Sequence, residues 1–263
     1  MLQIDLRNKR AVVCGSTQGI GKATAMLMAE AGATVILIAR NPEKLAAVKA
    51  ALPTPYGQPH ESIVADFANP NILKVKLDNY LQKTSPVHIL VNNTGGPPAG
   101  KAIDAGVEQF LAAFQAHLVC NHILVQTVAD GMKREGYGRI INIISTSVKQ
   151  PIPGLGVSNT IRGAVGNWAK TLAGELAPFG ITVNNILPGA TSTERLSAII
   201  ENKSEKTNKD KGTVEGEMLH EIPAGRFADP KEIGYAATFL ASPMAAYING
   251  TNVVVDGGRT ASL

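Results

Sequence analysis

Short β-branched runs alternate with longer helical patterns along almost the whole chain, and this alternation constrains the fold more than any other feature. The first run, Arg10–Cys14, precedes a helical stretch, and a second run follows at 34–38. Short apolar runs of this type are typical of parallel strands that are buried on both faces. The other predicted strands are 62–65, 87–91, 139–144, 181–187 and 252–255, and the predicted helices are 20–31, 42–52, 71–83, 107–135, 158–177 and 230–240.

The alternation predicts an α/β fold, with one doubly wound, seven-stranded parallel sheet and helices on both of its faces. A length of 263 residues suits a single domain, and no linker divides the chain. We therefore treat residues 1–263 as one domain of the Rossmann type. In such open sheets, ligands bind at the carboxyl ends of the strands.

One segment departs from the pattern. Residues 201–216 are rich in lysine and poor in apolar side chains. We expect a mobile lid over the substrate, spanning about 194–220, because a segment of this composition adds little to a core. The alternative is a solvated charge run with no role of its own.

Composition excludes several classes of protein. The 25 basic and 21 acidic residues give a net charge of +4, but the basic residues are scattered and aromatic residues make up only 5% of the chain. This argues against nucleic-acid binding, which uses basic stripes with stacking platforms. No apolar run suggests a membrane span or a signal peptide, so we expect no membrane partner. The cysteines, Cys14 and Cys120, are too few for a disulfide framework, and a cytoplasmic location fits best.

A glycine-rich loop follows the first predicted strand and leads directly into a helix. Gly15, Gly19 and Gly21 stand where the chain must turn tightly, let the backbone approach a pyrophosphate, and pack a helix closely. An ordinary glycine turn is the alternative. The predicted cofactor-binding residues of this loop are Gly15, Ser16, Thr17, Gln18, Gly19, Ile20 and Gly21.

The loop resembles the TGxxxGxG fingerprint of the short-chain dehydrogenase/reductase family, with Cys14 in the threonine position. Segment 92–95, Asn-Asn-Thr-Gly, is similar to the NNAG turn of that family, and Pro188-Gly189 followed by Thr193 is similar to its PGxxxT segment. Segments 222–227 and 255–258 resemble its C-terminal signature. The resemblance covers nearly the whole chain and is strongest to the subgroup of 3-oxoacyl-ACP reductases.

The resemblance implies further contacts with a nicotinamide cofactor. Asp66, followed by Phe67, stands where the family contacts adenine, and the PGxxxT segment holds the nicotinamide amide. The residues implied in this way are Asp66, Phe67, Asn93, Gly95, Pro188, Gly189, Thr191 and Thr193. Family members also associate through their long helices, so we expect a homo-oligomer, a tetramer or a dimer, formed by the helices that begin at Val107 and Ser158. Part of their apolar stripe must serve the core. The stripe includes Ile161, Val165, Trp168, Leu172 and Leu176 beside Gly163 and Gly166.

The end of the second strand sets the choice of cofactor. A carboxylate there pairs with the ribose hydroxyls of NAD, whereas a cation accommodates the 2′-phosphate of NADP. This chain has Ala39-Arg40 and no acid at that point. We therefore predict that NADP(H) is preferred over NAD(H), unless Arg40 is merely a solvent-exposed side chain.

The family's catalytic pattern is changed in this chain. Ser145 matches the family serine, but the positions of the YxxxK pair hold Ser158 and Arg162. Counting along the preceding helix places His117 at the family asparagine, with Asn121 one turn away as the alternative. We predict Ser145, Ser158, Arg162 and His117 as the catalytic residues and Arg162 as a ligand of the cofactor ribose.

These replacements change the chemistry. An alkyl hydroxyl is a much weaker acid than tyrosine, and arginine stays charged, so neither Ser158 nor Arg162 can shuttle a proton. His117, with an ordinary pKa near ~6.5, is the expected proton source, although a lone histidine on an apolar helix is as often a packing residue. Ser145 could equally cap local backbone, and Arg162 could form a surface salt bridge. His117 and His122 lie on different helix faces, so we predict no metal.

Three functions remain open. The leading expectation is an NADP(H)-dependent oxidoreductase for a small carbonyl or alcohol substrate, with an atypical centre. The second is a catalytically silent nucleotide-binding or regulatory protein on the same scaffold, which would bind NADPH without turnover. The third is a non-redox lyase or isomerase that uses His117 and Ser145 as acid and base.

Overall fold

A computed structural model describes residues 4–262. Its single sheet has seven parallel strands in the order β3-β2-β1-β4-β5-β6-β7. The strands are β1 Arg10–Cys14, β2 Thr34–Ala39, β3 Glu61–Val64, β4 Ile89–Asn92, β5 Gly138–Ile143, β6 Ile181–Pro188 and β7 Asn252–Val255. The order reverses between β1 and β4, which is where ligands bind in doubly wound sheets. The predicted fold class is confirmed.

Nine α-helices connect and cover the strands within residues 4–262. They are α1 Gly19–Glu30, α2 Pro42–Ala51, α3 Pro70–Leu81, α4 Val107–Phe114, α5 Cys120–Glu135, α6 Gly156–Leu176, α7 Glu194–Thr207, α8 Lys211–His220 and α9 Pro230–Ala241. The helix predicted over 107–135 is interrupted by a π-helical turn, Gln115–Val119, between α4 and α5. A π turn displaces side chains from the regular helical face and often marks a functional position.

The lysine-rich segment lies on the helices α7 and α8 and on the short connection between them. Thr193 caps α7 by accepting a hydrogen bond from the backbone N–H of Leu196. Leu196 and Val214 are buried, and the lysines form ion pairs between the two helices, for example Lys211 Nζ to Glu201 Oε1 at 2.6 Å. These ion pairs account for part of the high charge of the segment, and its role as a lid stays a prediction.

Two apolar layers flank the sheet. One contains α1, α2 and α9, and the other contains α3, α5 and α6. The stretch Val107–Glu135 is long and apolar enough to cross a membrane, by length and composition only. Its residues Leu124, Val128 and Met132 are nevertheless buried in the second layer, as in a core helix.

A row of asparagines crosses the carboxyl half of the sheet on the α5 and α6 side. Asn92, Asn142, Asn185 and Asn252 are register partners on β4, β5, β6 and β7. Each Nδ2 atom donates to the Oδ1 atom of the next asparagine, over 2.8, 2.9 and 2.8 Å. This asparagine ladder pairs side-chain amides across four strands, and only Oδ1 of Asn92, at its β4 end, is buried without a partner among these amides.

The apolar stripe predicted for association lies mostly in the core. On α6, Ile161, Val165 and Leu176 are buried, so they cannot form a subunit interface. Exposed large apolar residues occur on several elements, and on α4 they include Val107 and Leu111, which are 71% and 55% exposed. Part of the stripe serves the core, as expected, while Trp168 and Leu172 are only partly buried; a helix packed on a sheet and a helix packed on a partner subunit have the same periodicity.

Candidate active site

The glycine loop has the geometry that its spacing predicts. Gly15 and Gly19 have positive φ angles of 58° and 52°, which glycine adopts without strain. A Cβ atom at Gly21 would lie 2.2 Å from the carbonyl oxygen of Gly15, so any side chain there would clash with the loop. Asn93, the residue after β4, holds the glycine loop in place, because its Nδ2 atom donates to the carbonyls of Cys14 and Gly15 at 3.2 and 3.3 Å.

The loop ends at an uncapped helix terminus. Gln18 is the N-cap of α1 but its side chain makes no capping hydrogen bond, and the first turn carries no acidic residue. The first amides of α1 are therefore available to an anion, in the positive field of the helix dipole. Thr193 borders the start of α1 from another segment, since its methyl carbon lies 3.1 Å from the point that a Cβ atom would occupy at Gly19. Gly19 and Thr193 thus bound a cradle that a side chain at Gly19 would fill.

Arg40 follows β2 and is exposed, and it has no hydrogen-bond or ion-pair partner within residues 4–262. Ser16 is buried, and its hydroxyl donates to the carbonyl of Ile38 at 3.4 Å. The main chain of Ser16, rather than its hydroxyl, is thus the part available to a ligand. Thr17 and Ile20 are partly buried, and Gln18 is exposed. Arg40 can reach an anionic group at this end of the cleft.

The residues expected to contact adenine lie in the chain after β3. Asp66 lies two residues beyond the strand rather than at its end, and its Oδ1 atom accepts from the backbone N–H of Ala68 at 3.0 Å. Phe67 is buried in the core, so only its backbone can border a ligand. The short β3 accounts for the shift, because pairing with β2 ends at Val64.

The loop after β6 contributes the next group of predicted residues. Gly189 has no room for a side chain, because its Cβ would lie 2.7 Å from Cα of Asp256. The Thr191 hydroxyl donates to the carbonyl of Gly189, and the Thr193 hydroxyl donates to the carbonyl of Thr191. These bonds fix the turn after Pro188 above the glycine loop. The cradle, the uncapped helix and the unpartnered Arg40 together fit a phosphorylated dinucleotide.

Ser145 lies just after β5, and Ser158 lies at the start of α6. The Ser145 Oγ atom accepts from the N–H of Ser147 at 3.1 Å and so caps a short 3₁₀ turn, while its own proton remains available to donate. Ser158 is in the first turn of α6, partly buried, and its hydroxyl makes no hydrogen bond within residues 4–262. Loop 95–106 is bound to the start of α6, because Gly156 N–H donates to the carbonyl of Gly100 at 2.9 Å.

Arg162 lies one turn after Ser158 and points into the site rather than to the surface. It is only 8% exposed, and its Nη1 atom donates to the carbonyl of Ile143 at 2.9 Å, two residues before Ser145. Burial, and then the positive charge of Arg195, lower the pKa of Arg162 to about 10. It stays positive at neutral pH. The alternative of a surface salt bridge is therefore wrong.

His117 lies in the π turn and is buried, with an exposed fraction of 3%. Burial, followed by the charges of Arg162 and Arg195, lowers its pKa to about 3, and a backbone hydrogen bond at Gly95 only partly opposes this. The expectation of a group that titrates near neutrality is wrong for this state of the protein. The imidazole is neutral at pH 7 because two cations and a dry environment disfavour its protonation.

Arg195, in the first turn of α7, is a site residue that the sequence analysis missed. Its Nη2 atom donates to the carbonyl of Pro97 at 2.6 Å, and its charge acts on both His117 and Arg162. A sequence signal existed. Thr193 is a good N-cap, and the spacing of Leu196, Ile199 and Ile200 predicts a helix that begins beside the PGxxxT segment.

Comparison with known proteins agrees with this geometry. The family model described as enoyl-(acyl carrier protein) reductase matches residues 15–260. The 3-oxoacyl-(acyl-carrier-protein) reductase FabG of Rickettsia prowazekii is 33% identical over 255 residues, 97% of this chain and 98% of that protein. The NADPH-dependent reductase BacG of Bacillus subtilis is 27% identical over 98% of this chain and 100% of that protein.

A solved structure is similar over the complete length of both chains. The L-sorbose reductase of Gluconobacter frateurii, complexed with NADPH and L-sorbose, superimposes with a TM-score of 0.93 at 28% identity, covering 100% of each chain. These similar proteins are all reductases by name. Their likeness extends from the glycine loop through the segment that contains α7 and α8.

Proposed function

Since the chain belongs to the short-chain dehydrogenase/reductase family, we propose that it is an NADP(H)-dependent oxidoreductase that interconverts a carbonyl and an alcohol on a small molecule. The observation that carries this proposal is the position of Arg162. A buried guanidinium lies beside the strand end that carries Ser145, at the same sheet edge as the cradle of Gly19 and Thr193.

The bound nicotinamide cofactor would supply hydride to the carbonyl carbon. The cradle and the α1 terminus would hold its pyrophosphate, and the turn from Pro188 to Thr193 would hold the nicotinamide amide. Ser145 would donate its free proton to the carbonyl oxygen as a hydrogen bond. Arg162 would stabilise the negative charge that develops on that oxygen, because a fixed cation in a dry site acts strongly on developing charge.

The proposed centre differs from the family pattern, because Ser158 and Arg162 stand at the positions of the family's tyrosine and lysine. Ser158 would orient the substrate through its unpartnered hydroxyl and would not be the acid, since an alkyl hydroxyl does not ionise near neutral pH. His117 would act as a neutral hydrogen-bonding group. We therefore propose that the proton that completes the alcohol comes from water at the site rather than from an imidazolium.

We propose that NADP(H) is preferred over NAD(H). The guanidinium of Arg40 is exposed and unpartnered within the described residues, and a planar guanidinium binds phosphate through two hydrogen bonds. BacG and the sorbose reductase structure are both associated with NADPH by name, which supports the same choice.

The experiment is a survey of carbonyl compounds with NADPH as reductant, followed by loss of the reduced-nicotinamide absorbance, alongside calorimetric NADPH binding. Binding with turnover of at least one class of carbonyl supports the proposal. Binding without turnover of any carbonyl in the survey would favour the silent, regulatory alternative. Conversion of a substrate with no net change in the cofactor would favour the lyase or isomerase.

We also propose that the protein forms a homo-oligomer, a dimer or a tetramer, through the exposed apolar side chains of α4. Val107 and Leu111 would be covered by a second copy of the chain. Light scattering at micromolar concentration tests this, and a monomer would contradict it. The buried free thiols of Cys14 and Cys120 are compatible with the expected cytoplasmic location.

A further inference from the structure

Two guanidinium groups meet at one point of the site. A Cβ atom at Gly96 would lie 3.4 Å from Nη2 of Arg195 and 3.8 Å from Nη2 of Arg162. Arg195 comes from α7 and Arg162 from α6, so two separate elements bring positive charge to the same short stretch of loop after β4. Gly96 has no side chain to occupy the space between them.

No carboxylate of residues 4–262 pairs with either arginine. Their hydrogen bonds go to main-chain carbonyls, from Arg162 to Ile143 and from Arg195 to Pro97. The Nε atom of Arg162 is buried and has no partner in this part of the chain. Arg162 is buried and the exposed Arg195 adds a second positive charge beside it, and a buried charge costs free energy unless an opposite charge balances it. The arrangement is therefore incomplete without an anion.

Helix stability does not explain Arg195. It is the second residue of α7, where the positive end of the helix dipole disfavours a cation. Two other cations of this segment, Lys203 and Lys211, are paired with carboxylates of α7 or α8. Arg195 instead points to the loop after β4, towards the buried Arg162.

We propose that Arg195 and Arg162 bind an anionic group of the substrate, so that the protein acts on small carbonyl compounds that carry a carboxylate. This inference rests on the proposed function. A guanidinium fork binds a carboxylate through two charge-assisted hydrogen bonds, and the Nε–H of Arg162 and the Nη groups offer such donors. The phosphates of the cofactor are the other possible source of the anion, but the α1 terminus and Arg40 already provide for them.

The experiment compares oxoacids of three to eight carbons with their primary amides as substrates of the full-length protein with NADPH. The test variant is Arg195→Gln, and the matched control is Lys206→Gln, which removes one positive charge from the same helix. We expect the oxoacids to have at least tenfold higher kcat/KM than the amides. Arg195→Gln should raise KM for the oxoacid about tenfold to a hundredfold, with little change in kcat, in the amide reaction or in the Kd of NADPH.

Equal reduction of oxoacids and amides by the native protein would overturn the inference. A rise in the Kd of NADPH that matches the rise in KM would also overturn it, and would assign the two arginines to the cofactor phosphates. Equal effects of Arg195→Gln and Lys206→Gln would reduce the result to general electrostatics, which contradicts a specific site.

A binding measurement separates this inference from the proposed function. If no carbonyl compound oxidises NADPH, the proposed function fails, and calorimetric titration of the NADPH-loaded protein with malonate then decides the anion site. Binding to the native protein that is at least tenfold weaker in Arg195→Gln supports the site. Absence of binding, or equal binding to both proteins, contradicts it.

Discussion

The side-chain amide of Asn92 donates a hydrogen bond of 2.8 Å to Oδ1 of Asn142 directly beneath the cofactor cleft. Asn92 ends β4, and the next residue, Asn93, holds the glycine loop through the carbonyls of Cys14 and Gly15. The asparagine ladder therefore connects the centre of the sheet to the loop that forms the cradle. Its loss should affect both the stability of the fold and cofactor binding.

Asn142→Ala should destabilise the protein by roughly 2–5 kcal/mol, because it leaves Nδ2 of Asn92 and Oδ1 of Asn185 buried without their partners. The free energy of unfolding in urea measures this. The matched control is Asn167→Ala on the exposed face of α6, which should change stability by less than about 0.5 kcal/mol. Equal, small effects of both changes would contradict a structural role for the ladder.

Arg40→Ala should remove the preference for NADPH. We expect the native protein to bind NADPH at least about tenfold more tightly than NADH, since one charge-assisted phosphate contact contributes about this much. In Arg40→Ala the Kd values, measured by calorimetry, should become similar, mainly through weaker NADPH binding. Lys44→Ala, which removes an exposed charge from the neighbouring helix α2, should leave the ratio unchanged. A ratio that survives in Arg40→Ala would refute the assignment.

Arg162→Gln should lower kcat/KM by about 10²–10³, the range found when one stabilising donor at a developing oxyanion is removed. Ser158→Ala should cost about tenfold or less, because the hydroxyl orients the substrate and does not supply the proton. Arg162→Lys should recover only part of the rate, since an ammonium lacks the planar fork. A loss in Ser158→Ala as large as that in Arg162→Gln would identify Ser158 as the acid.

The buried His117 should make stability depend on pH. Its pKa is lowered from 6.5 to about 3 in the folded protein, so between these values the unfolded chain binds the additional proton. Stability should therefore fall as the pH falls below about 6.5, by up to about 1.4 kcal/mol per pH unit from this group. His117→Gln, which cannot be protonated, should have a correspondingly shallower decline in urea unfolding between about pH 7.5 and pH 5.

His88 also has a lowered pKa, chiefly from burial, so the native protein has a second source of acid sensitivity. His88→Gln is the control, and the double variant should have the shallowest decline. The pH profile of kcat/KM gives a separate check: His117 should not cause a fall in kcat/KM as the pH rises through 6.5. Identical pH dependence of stability in the native protein and His117→Gln would mean that the imidazole is not buried in neutral form.

The sequence was sufficient for features that depend on local patterns. Strand runs such as Arg10–Cys14 were located because buried parallel strands are largely apolar, and Gly21 was assigned from its spacing in the glycine loop, where the structure leaves no room for a side chain. The spacing of Ser158 and Arg162 also placed them on one helix face. These inferences needed only periodicity and the steric limits of single residues.

Features that depend on the surroundings of a residue were not accessible. The neutral state of His117 results from its burial beside Arg162 and Arg195, which are distant in sequence. The packing of α7 on α8 was not predicted, because the ion pairs between these helices cannot be inferred from composition. The convergence of Arg195 on Gly96 likewise exists only after the chain has folded.

The most direct test of the account is the transfer of hydride itself. The native protein is incubated with an oxoacid and NADPH that carries deuterium at both C4 positions of the nicotinamide, and the product is analysed by mass spectrometry. The account predicts a hydroxy acid that is one mass unit heavier than the product formed with unlabelled NADPH, in an amount equal to that of NADP⁺. In Arg162→Gln the rate should be lower by a factor of at least about 10². NADPH that binds but yields no deuterated alcohol from any oxoacid would contradict it.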